Sequence, residues 1–190
     1  MSLVPAFEIG VWNAWIFMSS FILQMLAMLL LDKKVWARSS LPADVKRNNA
    51  EKRAGTIGNA IWGLATLYSI FLPLRLGTLW FSFGFPIFFL GVMILAIATA
   101  DFAVTPADKP ITQGTYAFSR HPLYLSSFII YIGTGIATAS WLFLLLGLAN
   151  IFWVRTEALV EERYCLEKYG DSYRKYMKRT PRWLGLPKSV

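Results

Sequence analysis

The first group of residues able to do chemistry lies around the single histidine of the chain, His121. Pro122 follows it, and proline suits the first position of a helix, which would leave His121 at the helix cap. The free N–H groups at such a helix start, together with the adjacent Arg120, favour a bound anion. The sequence therefore predicts an anion-binding corner at Arg120 and His121.

The second group of reactive residues consists of three carboxylates, Glu157, Glu161 and Glu162. In a helix, Glu157 and Glu161 share one face, whereas Glu162 points about 100° away. These carboxylates favour a cation or hydroxyl donors, and nearby aromatic walls are available from Tyr116, Tyr124 and Tyr169. A pocket with an anion-binding corner, a corner lined by carboxylates and aromatic walls suits a zwitterionic ligand with a flat ring. S-adenosylmethionine fits that description.

Five apolar runs are the elements that must position these groups. The chain is 56% hydrophobic and 16% charged, whereas soluble domains have about 25% charged residues. A membrane-spanning helix needs about 20 mostly apolar residues. We therefore predict an all-α, polytopic membrane bundle with five transmembrane helices in a single domain, residues 1–190. The predicted spans are residues 11–31, 56–76, 79–100, 122–137 and 141–157.

The distribution of basic residues predicts the orientation in the membrane. With five crossings, all but one of the 19 lysines and arginines fall on one side, and only Arg75 lies on the other. Basic residues concentrate on the cytoplasmic side of membrane proteins. This rule places the N-terminus outside and both the C-terminus and the reactive residues in the cytoplasm. It also explains the net charge of +8 without a nucleic-acid partner.

The last two runs form a hairpin that brings the two reactive groups together. Its turn centres near Thr138, so His121 and Glu157 should lie at similar depth on neighbouring helices. The second helix has no stop signal between Trp141 and Tyr169, and it should project into the cytoplasm as a C-terminal helical extension. One histidine and one cysteine are too few to form the usual metal sites. We expect no metal.

The motifs of the C-terminal 80 or so residues resemble those of the integral membrane methyltransferases. That group includes isoprenylcysteine carboxyl methyltransferase and the phospholipid N-methyltransferases. The resemblance rests on a tyrosine followed by Arg-His-Pro-x-Tyr, then a glutamate pair, then Tyr-Gly-x-x-Tyr-x-x-Tyr and Pro-Arg. In this chain these are Tyr116, Arg120 to Pro122, Tyr124, Glu161, Glu162, Tyr169, Gly170, Tyr173, Tyr176, Pro181 and Arg182.

The resemblance implies a methyltransferase that uses S-adenosylmethionine, with a site in residues 109–182 and a lateral route for a lipophilic acceptor. Relatives commonly carry an arginine four residues before the glutamate pair, where this chain has Glu157. Arg120 and Glu157 are the expected catalytic residues; with an amine acceptor, either Glu157 or a tyrosine would assist the loss of a proton. The expected cofactor contacts are Ile111, Tyr116, His121, Pro122, Leu123, Tyr124, Glu161 and Glu162.

Several alternatives stay open at this point. The acceptor could be an isoprenylcysteine-like carboxylate, a phospholipid amine, or a small hydrophobic thiol or acid, and the oligomeric state is undetermined. A membrane reductase of the sterol reductase type shares the Arg-His-Pro-x-Tyr motif but binds NADPH. A non-enzymatic, lipid-binding helical protein would bind neither cofactor. Membrane lipids and the acceptor are the expected partners, with no nucleic acid among them.

Overall fold

The structure is a computed structural model that describes residues 7–31, 33–39 and 45–188. In these ranges every regular element is a helix, and an isolated β-bridge joins Asn13 and Pro73. The predicted all-α class is therefore confirmed for the described part of the chain. The helices are α1 (Trp15–Leu31), α2 (Lys33–Ser39), α3 (Asn49–Ile70), α4 (Leu79–Val104), a 3₁₀ turn (Gly114–Ala117), α5 (Pro122–Ala137), α6 (Trp141–Tyr169) and α7 (Asp171–Arg179).

The helices overlap the predicted spans, but several boundaries differ: α3 begins at Asn49 rather than residue 56, and α4 ends at Val104 rather than residue 100. Helix α5 has the predicted limits, and α6 runs without a break to Tyr169 and ends at Gly170, whose φ is +55°. Helix α1 begins at Trp15 rather than residue 11, and α3 ends at Ile70 rather than residue 76. Both helices are shortened because the segments beside them pair with each other through Ala14 N–H to Leu72 O, at 2.8 Å.

One end of the bundle collects the N-terminal segment, the α3–α4 connection and the α5–α6 turn. The side chain of Asn13 donates to Ile70 O at 2.7 Å, and the backbone N–H of Arg75 donates to Ala137 O at 3.0 Å. The five long helices therefore alternate in direction. It follows that α2, the α4–α5 connection and α7 lie at the opposite end, with the predicted reactive residues.

Helix α5 is held most closely against α4, because small residues let the two backbones approach. A Cβ on Gly133 would lie 2.3 Å from the backbone nitrogen of Phe88, and one on Gly84 would lie 2.2 Å from that of Ala137. The ring of Phe88 also stacks on Phe17 of α1, with centroids 3.8 Å apart. These contacts fix the position of α5 and of the histidine at its start.

Among the described residues, two helices are long and apolar enough to cross a membrane, α4 and α6. Two further apolar helices are shorter, Trp15–Leu30 and Pro122–Ala137. Helix α3 carries Lys52 and Arg53 in its first turns, which lowers its mean hydropathy. By length and composition, α4 and α6 each meet the requirement for a membrane-spanning helix.

Candidate active site

His121 is the N-cap of α5, as the sequence predicts, and its side chain is directed to α6. Helix α5 starts at Pro122, and the His121 ring makes no hydrogen bond to its own helix. Instead the hydroxyl of Ser119 accepts a hydrogen bond from the backbone N–H of His121 at 3.1 Å. The imidazole is therefore free to contact residues of the neighbouring helix.

Both ring nitrogens of His121 face carboxylates of α6. Nδ1 lies 3.3 Å from Oε2 of Glu161, and Nε2 lies 3.1 Å from Oε1 of Glu162. Burial alone would lower the pKa of His121, but the hydrogen bonds and negative charges of the two glutamates outweigh it and raise the pKa. The protonated form of the ring is thus favoured, and this imidazolium bridges the two adjacent carboxylates.

The contact falls on Glu161 and Glu162 rather than on Glu157. Side chains in a helix lean toward its N-terminus. The His121 side chain therefore extends away from the α5–α6 turn, whereas the α6 side chains lean back toward that turn. Counting residues from the α5–α6 connection pairs His121 with Glu157. Because of this lean, the residue of α6 that contacts His121 lies about one helical turn further along, at Glu161.

Glu162 is a buried junction of three cationic side chains. Its carboxylate is 4% exposed and accepts hydrogen bonds of 2.9 Å from both Nε and Nη2 of Arg182. Arg120 Nη1 lies 3.3 Å from the same carboxylate, and His121 is the third partner. Because its oxygens are taken by these groups, Glu162 fixes the C-terminal segment and the histidine in place.

Glu161, in contrast, reaches a cavity. Its side chain is 32% exposed, Oε2 contacts His121, and Oε1 accepts a hydrogen bond from the hydroxyl of Tyr124. The two contacts orient the carboxylate while one edge stays open. Glu161 is therefore placed to receive a cation or hydroxyl donor from a ligand.

The cavity has a volume of about 650 Å³, within the range of about 300–1,000 Å³ common for small-molecule sites. Helix α2, the α4–α5 connection, the start of α5, the end of α6 and α7 enclose it. Of the predicted site residues, Pro122, Glu157 and Glu162 do not line it. Those that do are Ile111, Tyr116, Arg120, His121, Leu123, Tyr124 and Glu161.

Arg120 lines this cavity as a cation that is ion-paired with Glu162. Its side chain is 9% exposed, and within the described part of the chain neither Nε nor Nη1 makes a hydrogen bond. Its backbone is fixed, because the N–H donates to Pro181 O at 3.0 Å. Buried polar groups almost always have partners. These N–H groups are therefore available to an anionic group of a ligand.

Glu157 is engaged by an arginine from a distant part of the chain. Arg47, just before α3, donates from Nη1 to Oε1 at 2.7 Å and from Nη2 to Oε2 at 2.6 Å. The hydrogen bond with Glu157 raises the pKa of Arg47. Both carboxylate oxygens are occupied, so Glu157 is a paired charge beside the cavity.

Three features of the site were not predicted from the sequence. Arg182 was part of the motif, but nothing predicted its pairing with Glu162. Asp101 of α4 accepts hydrogen bonds from the N–H and hydroxyl of Thr115, at 2.8 and 2.7 Å, and so fixes the turn that carries Tyr116. Arg38 of α2 lines the cavity and donates to two carbonyl oxygens at the end of α4. The position of Asp101 directly after an apolar run was the one available signal.

The fold and site define a helical membrane protein with a charged, aromatic-lined cavity at one end of the bundle. A family profile described as phospholipid methyltransferase matches residues 74–172, about half of the chain. The chain belongs to the phospholipid methyltransferase family. This confirms the family predicted from the motifs, and the predicted enzyme class agrees with it.

A curated relative supports the same group. The protein-S-isoprenylcysteine O-methyltransferase of Schizosaccharomyces pombe (strain 972 / ATCC 24843) is 34% identical to this chain over 73 residues. The aligned stretch covers 37% of this chain and 30% of the relative. The chain thus matches less than a third of that protein's length.

Proposed function

We propose that this protein is an integral membrane methyltransferase that uses S-adenosylmethionine to methylate a lipophilic acceptor at the cytoplasmic interface. The observation that carries the proposal is the pairing of opposite charges in one cavity. Arg120, besides its ion pair with Glu162, offers buried N–H groups that make no hydrogen bond within the described residues, and Glu161 offers an oriented carboxylate. Membership of the phospholipid methyltransferase family supports the same conclusion.

The cavity residues fit the parts of S-adenosylmethionine by charge and shape. Arg120 and the start of α5 would hold the carboxylate, because both present N–H groups. Glu161 would accept hydrogen bonds from the ammonium or the ribose hydroxyls. Ile111 and Tyr116 would enclose the adenine ring, with Leu123 and Tyr124 on the side of α5. Pro122 and Glu162 do not line the cavity; Pro122 would fix the start of α5, and Glu162 would hold His121 in position.

The chemistry supplied by this cofactor is a methyl group already activated by a sulfonium. The protein's own contribution is then to position the reactants and to exclude water. His121 orients Glu161, and the aromatic walls limit access of solvent. A carboxylate or thiolate acceptor needs no base. An amine acceptor would have to lose a proton, and Glu157 could take it only if its ion pair with Arg47 opened.

We further propose that the five long helices all cross the membrane, with the N-terminus outside and residues 109–182 forming the cofactor region of a single domain. Two observations support this topology. The connections at one end of the bundle contact each other through Asn13, Arg75 and Ala137. All lysines and arginines except Arg75 belong to the other end, as expected for the cytoplasmic side.

Ligand binding tests the proposal directly. Adenosylhomocysteine and NADPH would be titrated into the detergent-solubilised protein by calorimetry, with Glu161→Gln and Glu167→Gln as matched variants. Glu167 is an exposed residue of the same helix. We expect adenosylhomocysteine to bind and Glu161→Gln alone to weaken it about tenfold, the effect of losing a charge-assisted hydrogen bond.

The alternatives give different results. Binding of NADPH alone would indicate a reductase, and binding of neither compound would indicate a non-enzymatic lipid-binding protein. Incubation with labelled S-adenosylmethionine and a total lipid extract would then identify the acceptor. The labelled product would distinguish carboxylate, amine and thiol acceptors.

A further inference from the structure

A second cavity, also of about 650 Å³, lies beside the first and shares Tyr176 with it. Helix α7, the 3₁₀ turn and the C-terminal segment enclose it. We call it the basic cavity, because its lining includes Lys175, Arg179 and Lys188. Glu161 lines the first cavity, whereas no carboxylate of the described residues lines this one.

Among the residues that the structure describes, the lining of the basic cavity has a positive charge balance. Within the described ranges, none of Lys175, Arg179 and Lys188 forms an ion pair with a carboxylate. On the same helix Arg174 does, with Asp171 at 3.4 Å. Like charges around one cavity repel each other unless an anion lies between them. The charge of the cavity therefore favours an anionic ligand.

The backbone that carries these cations is held in place. Tyr173 and Tyr176 bury one face of α7, and the hydroxyl of Tyr176 donates to Tyr116 O at 2.7 Å. The N–H of Lys188 donates to Arg179 O at 2.8 Å and so fixes the C-terminal segment against the end of α7. The cations are thus arranged by the fold rather than spread along a free tail.

Hydroxyl groups complete the lining and indicate the kind of anion. Ser172, Thr112 and Thr180 line the same cavity. Ammonium and guanidinium groups combined with hydroxyl donors suit a tetrahedral oxyanion, which has several strong acceptor oxygens. We propose that the basic cavity binds a phosphate group, either of a phospholipid headgroup or of a free phosphate. The proposal does not depend on the proposed methyl transfer.

Calorimetry on the full chain in a phosphate-free, uncharged detergent tests this site. The probes are inorganic phosphate, short-chain phosphatidylglycerol and, as a chemically matched neutral compound, a short-chain diacylglycerol. We expect Lys175→Gln/Arg179→Gln to weaken binding of the phosphate-bearing probes about tenfold or more, the loss expected for charge-assisted hydrogen bonds. The diacylglycerol should not bind at the same site.

The control is Arg174→Gln/Lys178→Gln, which removes two positive charges from the same helix at residues that do not line the cavity. It should change the affinity by less than about twofold, since these side chains do not line the cavity and would act on a bound anion only through longer-range, screened charge. Binding of inorganic phosphate would identify the phosphate group as sufficient, and binding of phosphatidylglycerol alone would identify a lipid headgroup. Equal losses in both double variants, or no binding of either phosphate probe, would overturn the proposal.

Discussion

Arg182, from the C-terminal segment, closes on the buried carboxylate of Glu162 with two hydrogen bonds of 2.9 Å. Glu162 in turn contacts His121, which contacts the cavity-facing Glu161. Arg182 does not line the cavity. It is therefore a positioning residue that acts on the site through Glu162 and His121.

The first prediction concerns this positioning role. Arg182→Gln should raise the KM for S-adenosylmethionine more than it lowers kcat, because Glu162 and His121 lose their fixed orientation. Since the Arg182 side chain is partly exposed, we expect a destabilisation of only about 1–2 kcal/mol. Arg182→Lys should recover part of the KM, and steady-state kinetics would measure both variants. Equal effects of Gln and Lys on stability with no change in KM would contradict the role.

The second prediction separates the two adjacent glutamates. Glu162→Ala should destabilise the protein strongly, by about 3–5 kcal/mol, because it leaves Arg120 and Arg182 without their buried partner. Glu161→Ala should weaken adenosylhomocysteine binding with a much smaller effect on stability, since its carboxylate is partly exposed. Thermal unfolding and calorimetric titration would compare the variants. The reverse pattern would show that the roles of the two residues had been exchanged.

The third prediction is the pH dependence of stability. The pKa of His121 is raised in the folded protein by Glu161 and Glu162, against the opposing effect of burial. The folded state therefore binds the proton more tightly than the unfolded state does. This contribution to stability is complete below the ordinary histidine pKa of about 6.5 and is lost as pH rises through the raised value.

The measurement is the free energy of unfolding between about pH 6 and pH 9. The wild-type protein should lose stability across this interval, and His121→Gln should flatten the dependence. A matched control is Lys178→Gln, an exposed residue of α7. If His121→Gln and the wild-type protein showed the same slope, the imidazolium bridge would not exist in solution.

The fourth prediction concerns the pair of Arg47 and Glu157. Each single substitution to alanine should destabilise the protein, and the double variant should lose less than the two single losses combined. The expected coupling is about 1–3 kcal/mol, typical of residues in direct contact. A double-mutant cycle of unfolding free energies measures it. Additive losses would mean that the pair is absent in solution.

The fifth prediction concerns the close approach of α4 and α5. Gly133→Ala should destabilise the bundle by about 1–3 kcal/mol, the usual cost of overpacking, because its Cβ would meet the backbone of Phe88. Gly63→Ala in α3 is the control, since a Cβ there has nothing within 4 Å. That control should be neutral or slightly stabilising. Thermal unfolding of both variants distinguishes packing from the general effect of alanine.

The local features of this protein could be predicted from its sequence. The start of α5 at Pro122, the unbroken helix α6 and its end at Gly170 depend on residues within a few positions of each other. Proline at a helix start and glycine at a helix end act through the backbone alone. The motif around His121 likewise consists of residues close in sequence, and it predicted the family that the profile match confirms.

The boundaries of α1 and α3 depended on contacts that hydropathy does not encode. Ala14 and Leu72 are both apolar, so the apolar runs continue through them, yet their backbones pair with each other rather than extend their helices. The predicted spans were therefore too long at these two points. Helix ends set by a partner segment require knowledge of where that segment lies.

The arrangement of charges in the site was decided by tertiary structure alone. Helical geometry turns Glu162 about 100° from Glu161, which favoured Glu161 over Glu162 as a ligand-binding residue near His121. The structure brings both to the imidazole, because its two nitrogens point in different directions and can reach adjacent residues. Glu157 meets Arg47, 110 positions away in the sequence. Local periodicity determines which helices form, but the rotation and tilt of each helix, and hence the partner of each charge, are set by packing.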